Sequence, residues 1–304
     1  MLKLACHTWG FSDQPLETAV QTIARLGFNY IDLGSGPHLD TTAAAKDPKG
    51  EAGRIRALLE RFHLEITDLY LLLPALSSAD EGRRLYEVRL FERLVPFAVA
   101  LGVPGITLSP GIEPPQAQPD PFQTHPADAQ EPPPGQETAE GEPPPPPPTP
   151  FDWAAQSLRS AVEIISETNL RLCFEPHLDS VASTPEKALA LLEAVPGLSV
   201  TLDWAQFTAQ GIISSEIEPL LPHTAHVQLR QAARGRLQTP YQEGTIDLRQ
   251  VLALLFENDY RGALSIEYMN RSGWHGMAAL DVIRETGRTR DALRTYRQAL
   301  LAAL

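Results

Sequence analysis

The stretch LSVTLD, residues 198–203, alternates strictly between apolar and small or polar side chains. On a strand, successive side chains point to opposite faces. One face therefore carries Leu198, Val200 and Leu202, and the other Ser199, Thr201 and Asp203. A face of large apolar residues suits packing under helices, and a small or polar face suits the inside of a closed barrel. A doubly wound open sheet would need both faces of its central strands to be apolar. The same habit recurs in ALSIEY (263–268), where Leu264, Ile266 and Tyr268 oppose Ala263, Ser265 and Glu267. In LRLCFE (170–175), Leu170, Leu172 and Phe174 oppose Arg171, Cys173 and Glu175. In AHVQLR (225–230), Val227 and Leu229 oppose His226, Gln228 and Arg230.

Four earlier runs have strand character: LKLACH (2–7), NYIDLG (29–34), LEITDLY (64–70) and GITLSP (105–110). Helical patterns separate the strands: PLETAVQTIARLG, GEAGRIRALLERF, a long one from about 80 to 101, FDWAAQSLRSAVEIISET, and TPEKALALLEAV. The last opens with Thr184 as its N-cap and Pro185 at the first helical position. Further helices are expected near Asp247 and Met277. Strands alternating with helices predict a parallel sheet. Eight of them predict an α/β fold, a (β/α)8 TIM barrel spanning 1–304 as one domain, with its active site at the C-terminal ends of the strands.

Residues 111–150 interrupt this pattern after the fourth strand. Between Pro110 and Pro150 lie 16 of the 28 prolines, including PPPPPP at 143–148. After Gly111 the segment holds seven acidic residues and no Lys or Arg. Such a chain buries too little apolar surface to offset its ordering entropy, so it is expected as an extended, disordered insertion. A proline-rich peptide also suits an aromatic groove on a partner. Without it about 260 residues remain, close to the ~250 typical of the barrel.

Formal net charge is −13 over 304 residues, of which the insertion contributes −7. So acidic a surface repels a phosphate backbone and disfavours nucleic acid. The N-terminal MLKLACHTWGF has too short an apolar run for a signal peptide. The apolar stretch LYLLLPAL is too short to span a membrane. Cys6 and Cys173 are the only cysteines, which makes no disulfide framework. These features predict a cytoplasmic protein.

Glu175, Asp203, His226 and Glu267 fall near the ends of four late strands and are expected to converge on the barrel axis. Three carboxylates so close repel one another, and one divalent cation with the imidazole as fourth ligand would resolve this. Oxygen-rich ligation with one nitrogen favours Mn2+ or Mg2+, with Co2+ or Zn2+ as further options. Each residue also has a simpler reading: Asp203 as the cap of the following helix, Glu267 as partner to Arg271, His226 as a satisfied core histidine.

Together FEPH (174–177), TLDWAQFTAQG (201–211), HVQLRQA (226–232), EGTID (243–247) and GALSIEY (262–268) resemble the sugar phosphate isomerase/epimerase family, the xylose isomerase-like TIM barrels. The resemblance implies a metal-dependent isomerase or epimerase acting on a ketose, aldose or related polyol through an enediolate. It implies Glu175, Asp203, His226 and Glu267 as metal ligands, and Glu175 and Glu267 as the carboxylates that exchange protons with substrate carbons. It gives Arg230 a place at substrate oxygens. His177, Gln206, Gln228, His7 and Trp9 are expected to line the substrate pocket, with Tyr30 and Asp32 within reach. Gln206 and Gln228 depart from the family, which often has histidines there. An endonuclease IV-like repair nuclease would need more histidines, two of them at these positions. An inosose-type dehydratase would share the metal and the enolisation. A non-catalytic binding protein would use the proline-rich segment alone.

Overall fold

The computed structural model describes residues 2–113 and 146–303. Among them, β1 (Lys3–His7), β2 (Tyr30–Gly34), β3 (Glu65–Leu71), β4 (Gly105–Leu108), β5 (Arg171–Phe174), β6 (Ser199–Asp203), β7 (Thr224–Leu229) and β8 (Ala263–Ile266) pair in chain order. Every pairing is parallel and β8 closes on β1, giving the eight-stranded TIM barrel expected from the alternation.

The helices are α1 (Leu16–Arg25), α2 (Thr41–Lys46), α3 (Pro48–Arg61), α4 (Glu81–Leu101), α5 (Pro150–Ile165), α6 (Pro185–Ala194), α7 (Trp204–Gln210), α8 (Ser214–Ile217), α9 (Leu248–Glu257) and α10 (Val282–Ala303). Local signals set their starts. Thr184 caps α6 by accepting the Lys187 N–H, with Pro185 in the first turn. Thr149 and Asp152 form a reciprocal capping box at α5, which satisfies amide donors that the first turn leaves without partners. The last helix begins later than Met277, because Asp281 is the residue whose carboxylate accepts from Arg284 N, at 3.0 Å. Among the described residues, no helix is long and apolar enough to cross a membrane.

The core lies between sheet and helices. Val200, Leu202, Val227, Leu229, Leu264 and Ile266 are buried there, with Phe91, Leu94 and Phe97 of α4 contributing from outside. Each such side chain contributes roughly 1.5–3 kcal/mol when fully buried. The inner faces are polar and tied across the barrel, as in the Thr107–Thr201 hydroxyl pair at 2.6 Å.

Register decides which residues share a level. Thr201 of β6 pairs with His226 of β7, and Asp203 with Gln228. Leu229 pairs with Ile266, and Glu267 N donates to Leu229 O at 3.0 Å. Arg230 thus stands beside Glu267 at the mouth, while His226 lies deeper in the barrel.

The first residues after β4 are tied to the loop after β5. Ile112 bridges Ser180, Glu113 N donates to Asp179 O at 2.8 Å, and Glu113 pairs with Lys187 at 2.6 Å. Residues 111–113 therefore belong to the barrel rim rather than to a disordered insertion. At the other boundary, Thr149 caps α5 and Pro150 begins it, so these two also belong to the barrel. The bulk of that expectation, and the docking of a partner on it, falls on 114–145, outside the described residues.

Candidate active site

Glu175 directly follows β5, Asp203 ends β6, and Glu267 directly follows β8. All three are buried. Their carboxylate oxygens lie within 4.8 Å of one another, a buried acidic triad that could bind a metal ion. The surroundings fix each member. Tyr70, near the end of β3, donates its hydroxyl to Glu175 Oε2 at 2.6 Å. Gln206, on the first turn of α7, donates Nε2 to Glu175 Oε1 at 3.0 Å. Asp203 is the N-cap of α7, and its Oδ1 accepts from Ala205 N at 2.9 Å, as its simpler reading anticipated. Arg230 completes the cluster: Nη2 donates to Asp203 Oδ2 and Nη1 to Glu267 Oε2, each at 2.8 Å. Nη1 also reaches the Glu267 carbonyl at 2.9 Å.

His226 is not in this cluster, contrary to the four-ligand expectation. Its Nε2 lies 2.8 Å from Asp32 Oδ2, one level down, as its pairing with Thr201 requires. The inner face of β7 carries His226, Gln228 and Arg230 in succession, and the residue at the strand's end is Arg230. Asp32 likewise serves His226 and does not reach the pocket. Glu267 pairs with Arg230, not with Arg271, whose guanidinium sits 4.5 Å from the Trp274 ring centroid. Asp179, beyond the end of β5, pairs with His275 at 2.6 Å.

By donor type the triad suits a hard divalent ion. As the side chains stand, however, the residues do not fit one. A guanidinium already binds two of the three carboxylates, and the imidazole that would complete the set is engaged elsewhere. Gln228 stands level with Asp203, and neither atom of its buried amide has a hydrogen-bond partner among the described residues.

One guanidinium cannot balance three carboxylates in a buried space. Burial pushes the Glu267 carboxyl well above the usual range, with Arg230 opposing and Glu175 and Asp203 adding. Burial also lifts Asp203, to about 6, against the pull of Arg230. In the lower cluster, burial would lower the His226 pKa, yet Asp32 and Asp68 raise it overall. Burial would raise Asp32, but the charge and hydrogen bond of His226 bring it down. That pair is ionic. Asp68 beside it is pushed up to about 7, mainly by burial. His7 is pushed down to about 3 by burial, so its ring is neutral. Its Nδ1 accepts from Trp9 N at 3.1 Å, which places the proton on Nε2.

A cavity of about 310 Å³ opens above the triad. Glu175, Glu267, Gln206 and His177 lie at its polar end, and Trp9, Tyr70 and Trp274 are among its apolar walls. His177 Nδ1 lies 2.5 Å from Leu178 O, so that nitrogen donates and Nε2 accepts from Ser109 Oγ at 2.8 Å. Of the expected substrate contacts, Trp9, His177 and Gln206 line the cavity, whereas His7, Gln228 and Arg230 are buried beneath it. Trp9 fits because residue 34 is glycine: a Cβ there would collide with the Trp9 indole and the His7 ring. Tyr70 was missed by sequence reasoning, although it closes LEITDLY at a strand end. Trp274, Arg271 and Met269 come from the loop after β8, where no periodicity marks them.

The sequence profile described as xylose isomerase-like TIM barrel matches residues 20–299. No curated protein matches the chain in sequence. Among solved structures, the fold is similar to 3-keto-D-glucoside 4-epimerase from E. coli, at 16% identity and TM-score 0.68, covering 97% of this chain and 100% of that one. It is similar to D-psicose 3-epimerase from Clostridium cellulolyticum H10, solved with D-tagatose, at 14% identity and TM-score 0.69, covering 97% and 99%. A probable 3-DHS dehydratase from Bacillus anthracis shares 18% identity at TM-score 0.64, covering 95% and 99%. At these identities the likeness is one of fold.

Proposed function

Because the chain belongs to the xylose isomerase-like TIM barrel family, we propose that it is an isomerase or epimerase that moves a proton on a sugar or related polyol through an enediolate. The observation that carries this reading is the placing of two buried glutamates, Glu175 and Glu267, on the floor of one aromatic-walled cavity. They rise from β5 and β8, so a carbon held between them can offer a different face to each.

In this reading one glutamate removes the proton from the carbon beside a carbonyl and the other delivers one. Delivery to the opposite face of the same carbon epimerises it, and delivery to the neighbouring carbon interconverts aldose and ketose. Glu267 holds its proton to higher pH than an exposed carboxyl does, which suits the donor. Glu175, oriented through both oxygens by Tyr70 and Gln206, suits the acceptor. Trp9 offers an aromatic face to the C–H surface of a sugar, and the His177–Ser109 pair offers hydrogen bonds to its hydroxyls. The expected Mn2+ or Mg2+, or Co2+ or Zn2+, would be held by Glu175, Asp203 and Glu267 alone, supplying carbonyl polarisation when bound. It could enter only if Arg230 gave up its two carboxylates, and no proton transfer here depends on it. A small polar substrate, a cytoplasmic setting and the absence of nucleic-acid or membrane partners go with this proposal.

A screen of ketoses, aldoses and inososes in D2O, followed by NMR, tests it. One substrate class should take up deuterium beside its carbonyl, and Glu267→Gln should abolish uptake with the circular dichroism unchanged. Undiminished uptake in that variant would remove Glu267 from the chemistry.

A further inference from the structure

We infer that Arg230 is the resident cation of this site, its guanidinium standing where a metal ion would stand, so that the carboxylate cluster assembles and operates without a metal. The inference rests on the proton-transfer reading of the same site and says what counter-charge that site uses.

Three features carry it. The first is geometry. Two nitrogens of one fully buried guanidinium each bind a different carboxylate at 2.8 Å, and a third bond reaches the Glu267 carbonyl at 2.9 Å. A planar fork bridging two carboxylates does the electrostatic work of a chelated ion. Strand pairing holds it there, since Leu229 sits opposite Ile266 and the next inward residue on each strand is Arg230 and Glu267. To admit an ion, the side chain would have to leave two carboxylates and remain in the barrel as an unpaired charge, which is strongly unfavourable.

The second feature is how the acceptors are used. Glu175 accepts from Tyr70 and Gln206, and Asp203 accepts from Ala205 and Arg230. Glu267 Oε2 accepts from Arg230. Of the six carboxylate oxygens of the triad, only Glu267 Oε1 has no donor among the described residues, and Glu267 lines the cavity. Protein hydrogens, not an open coordination sphere, face the other carboxylate oxygens. The third is the ligand set. His226 is bound to Asp32, and the residue level with Asp203 is Gln228, a neutral amide and a poor substitute for imidazole.

Arg230 does not line the cavity. It is therefore a positioning residue, which anchors Oε2 of Glu267 and leaves Oε1 for the substrate.

The test is a Mn2+ titration of the full-length protein after EDTA dialysis, followed by calorimetry and by the EPR signal of free Mn2+. The wild type should bind no tighter than about 1 mM, and neither EDTA nor Mn2+ should move its melting temperature. Arg230→Gln, which leaves the triad uncompensated, should bind Mn2+ at least ~100-fold more tightly, and Arg230→Lys should restore exclusion. A wild type that binds about one Mn2+ per chain below ~10 µM overturns the inference, as does an Arg230→Gln protein that binds no tighter than wild type. If Arg230→Gln fails to fold, the wild-type titration decides alone. Deuterium uptake run in parallel separates the two readings. Uptake in EDTA supports both, and uptake only with Mn2+ overturns the role of Arg230 while sparing proton transfer. No uptake with any sugar, alongside a blank Mn2+ titration of the wild type, counts against proton transfer and leaves Arg230 as the resident cation.

Discussion

Two ionic clusters are stacked inside one barrel. The upper one joins Glu175, Asp203 and Glu267 to Arg230. The lower one joins Asp32 and Asp68 to His226, with Thr67 donating to Asp32 at 2.5 Å. Both are buried, both carry more acid than base, and both are anchored by strand residues. They differ in what lies next to them. The upper cluster forms the floor of a cavity, which Asp32, Asp68 and His226 do not line; these three are buried between the strands. A buried charge network beside open space can exchange protons with a ligand. The same network sealed between strands can only hold the barrel together or strain it. Perturbed titration alone does not mark a site, since both clusters show it.

The comparison breaks most visibly if the acids are exchanged one at a time. Glu175→Gln and Glu267→Gln should each lower kcat by about 10²- to 10⁴-fold, the usual reach of general acid–base catalysis, while thermal melting stays near wild type. Asp32→Asn should do the reverse. Removing one partner of the buried Asp32–His226 pair should cost about 3 kcal/mol in urea denaturation, with turnover per folded molecule largely kept. If Asp32→Asn destroys turnover without lowering stability, the lower cluster is part of the chemistry and the distinction fails.

The barrel was legible because alternation is a local property: LSVTLD shows two faces without reference to any neighbour. Thr184 with Pro185 likewise announces a helix start within a few residues. The convergence of Glu175, Asp203 and Glu267 was legible too, because each sits at the end of its own strand. His226 was misplaced for a reason the same pattern contained. Its inward face runs His226, Gln228, Arg230, so the strand-end residue is Arg230, but the register between β6 and β7 is set by pairing and a shift after Val200. No single strand carries that information. The cavity walls contributed by Arg271 and Trp274 come from an irregular loop, whose path depends on tertiary contacts.

A smaller effect comes from Asp68, whose Oδ2 is buried without a hydrogen-bond partner among the described residues and whose pKa is pushed up to about 7. An unfolded Asp titrates near ~3.9. Between those values the folded chain holds the proton more tightly than the unfolded chain, so Asp68 makes stability fall as pH rises through the window. Asp68→Asn should flatten that fall and make the protein more stable at pH 8 by about 1–3 kcal/mol. Asp203, raised to about 6, keeps part of the slope, and His7, lowered to about 3, opposes it. Denaturant melts at about pH 5 and pH 8 on both proteins separate these contributions. An unchanged slope would mean that Asp68 is ionised in the folded barrel, and that the lower cluster is better compensated than its geometry suggests.

The finest test removes one hydroxyl from each level. Tyr70 donates to Glu175 at 2.6 Å, and Thr67 donates to Asp32 at 2.5 Å. Both bonds run from a buried hydroxyl to a buried carboxylate, so each is worth about 1–3 kcal/mol by its chemistry. Tyr70→Phe should spend that loss in the reaction, lowering kcat about tenfold or more with KM little changed, because the bond orients a group that must meet substrate. Thr67→Val should spend it in folding, with stability lower by about 1–2 kcal/mol and kcat unmoved. If Tyr70→Phe loses stability but not rate, Glu175 does not need its orientation to react, and the upper cluster is as structural as the lower.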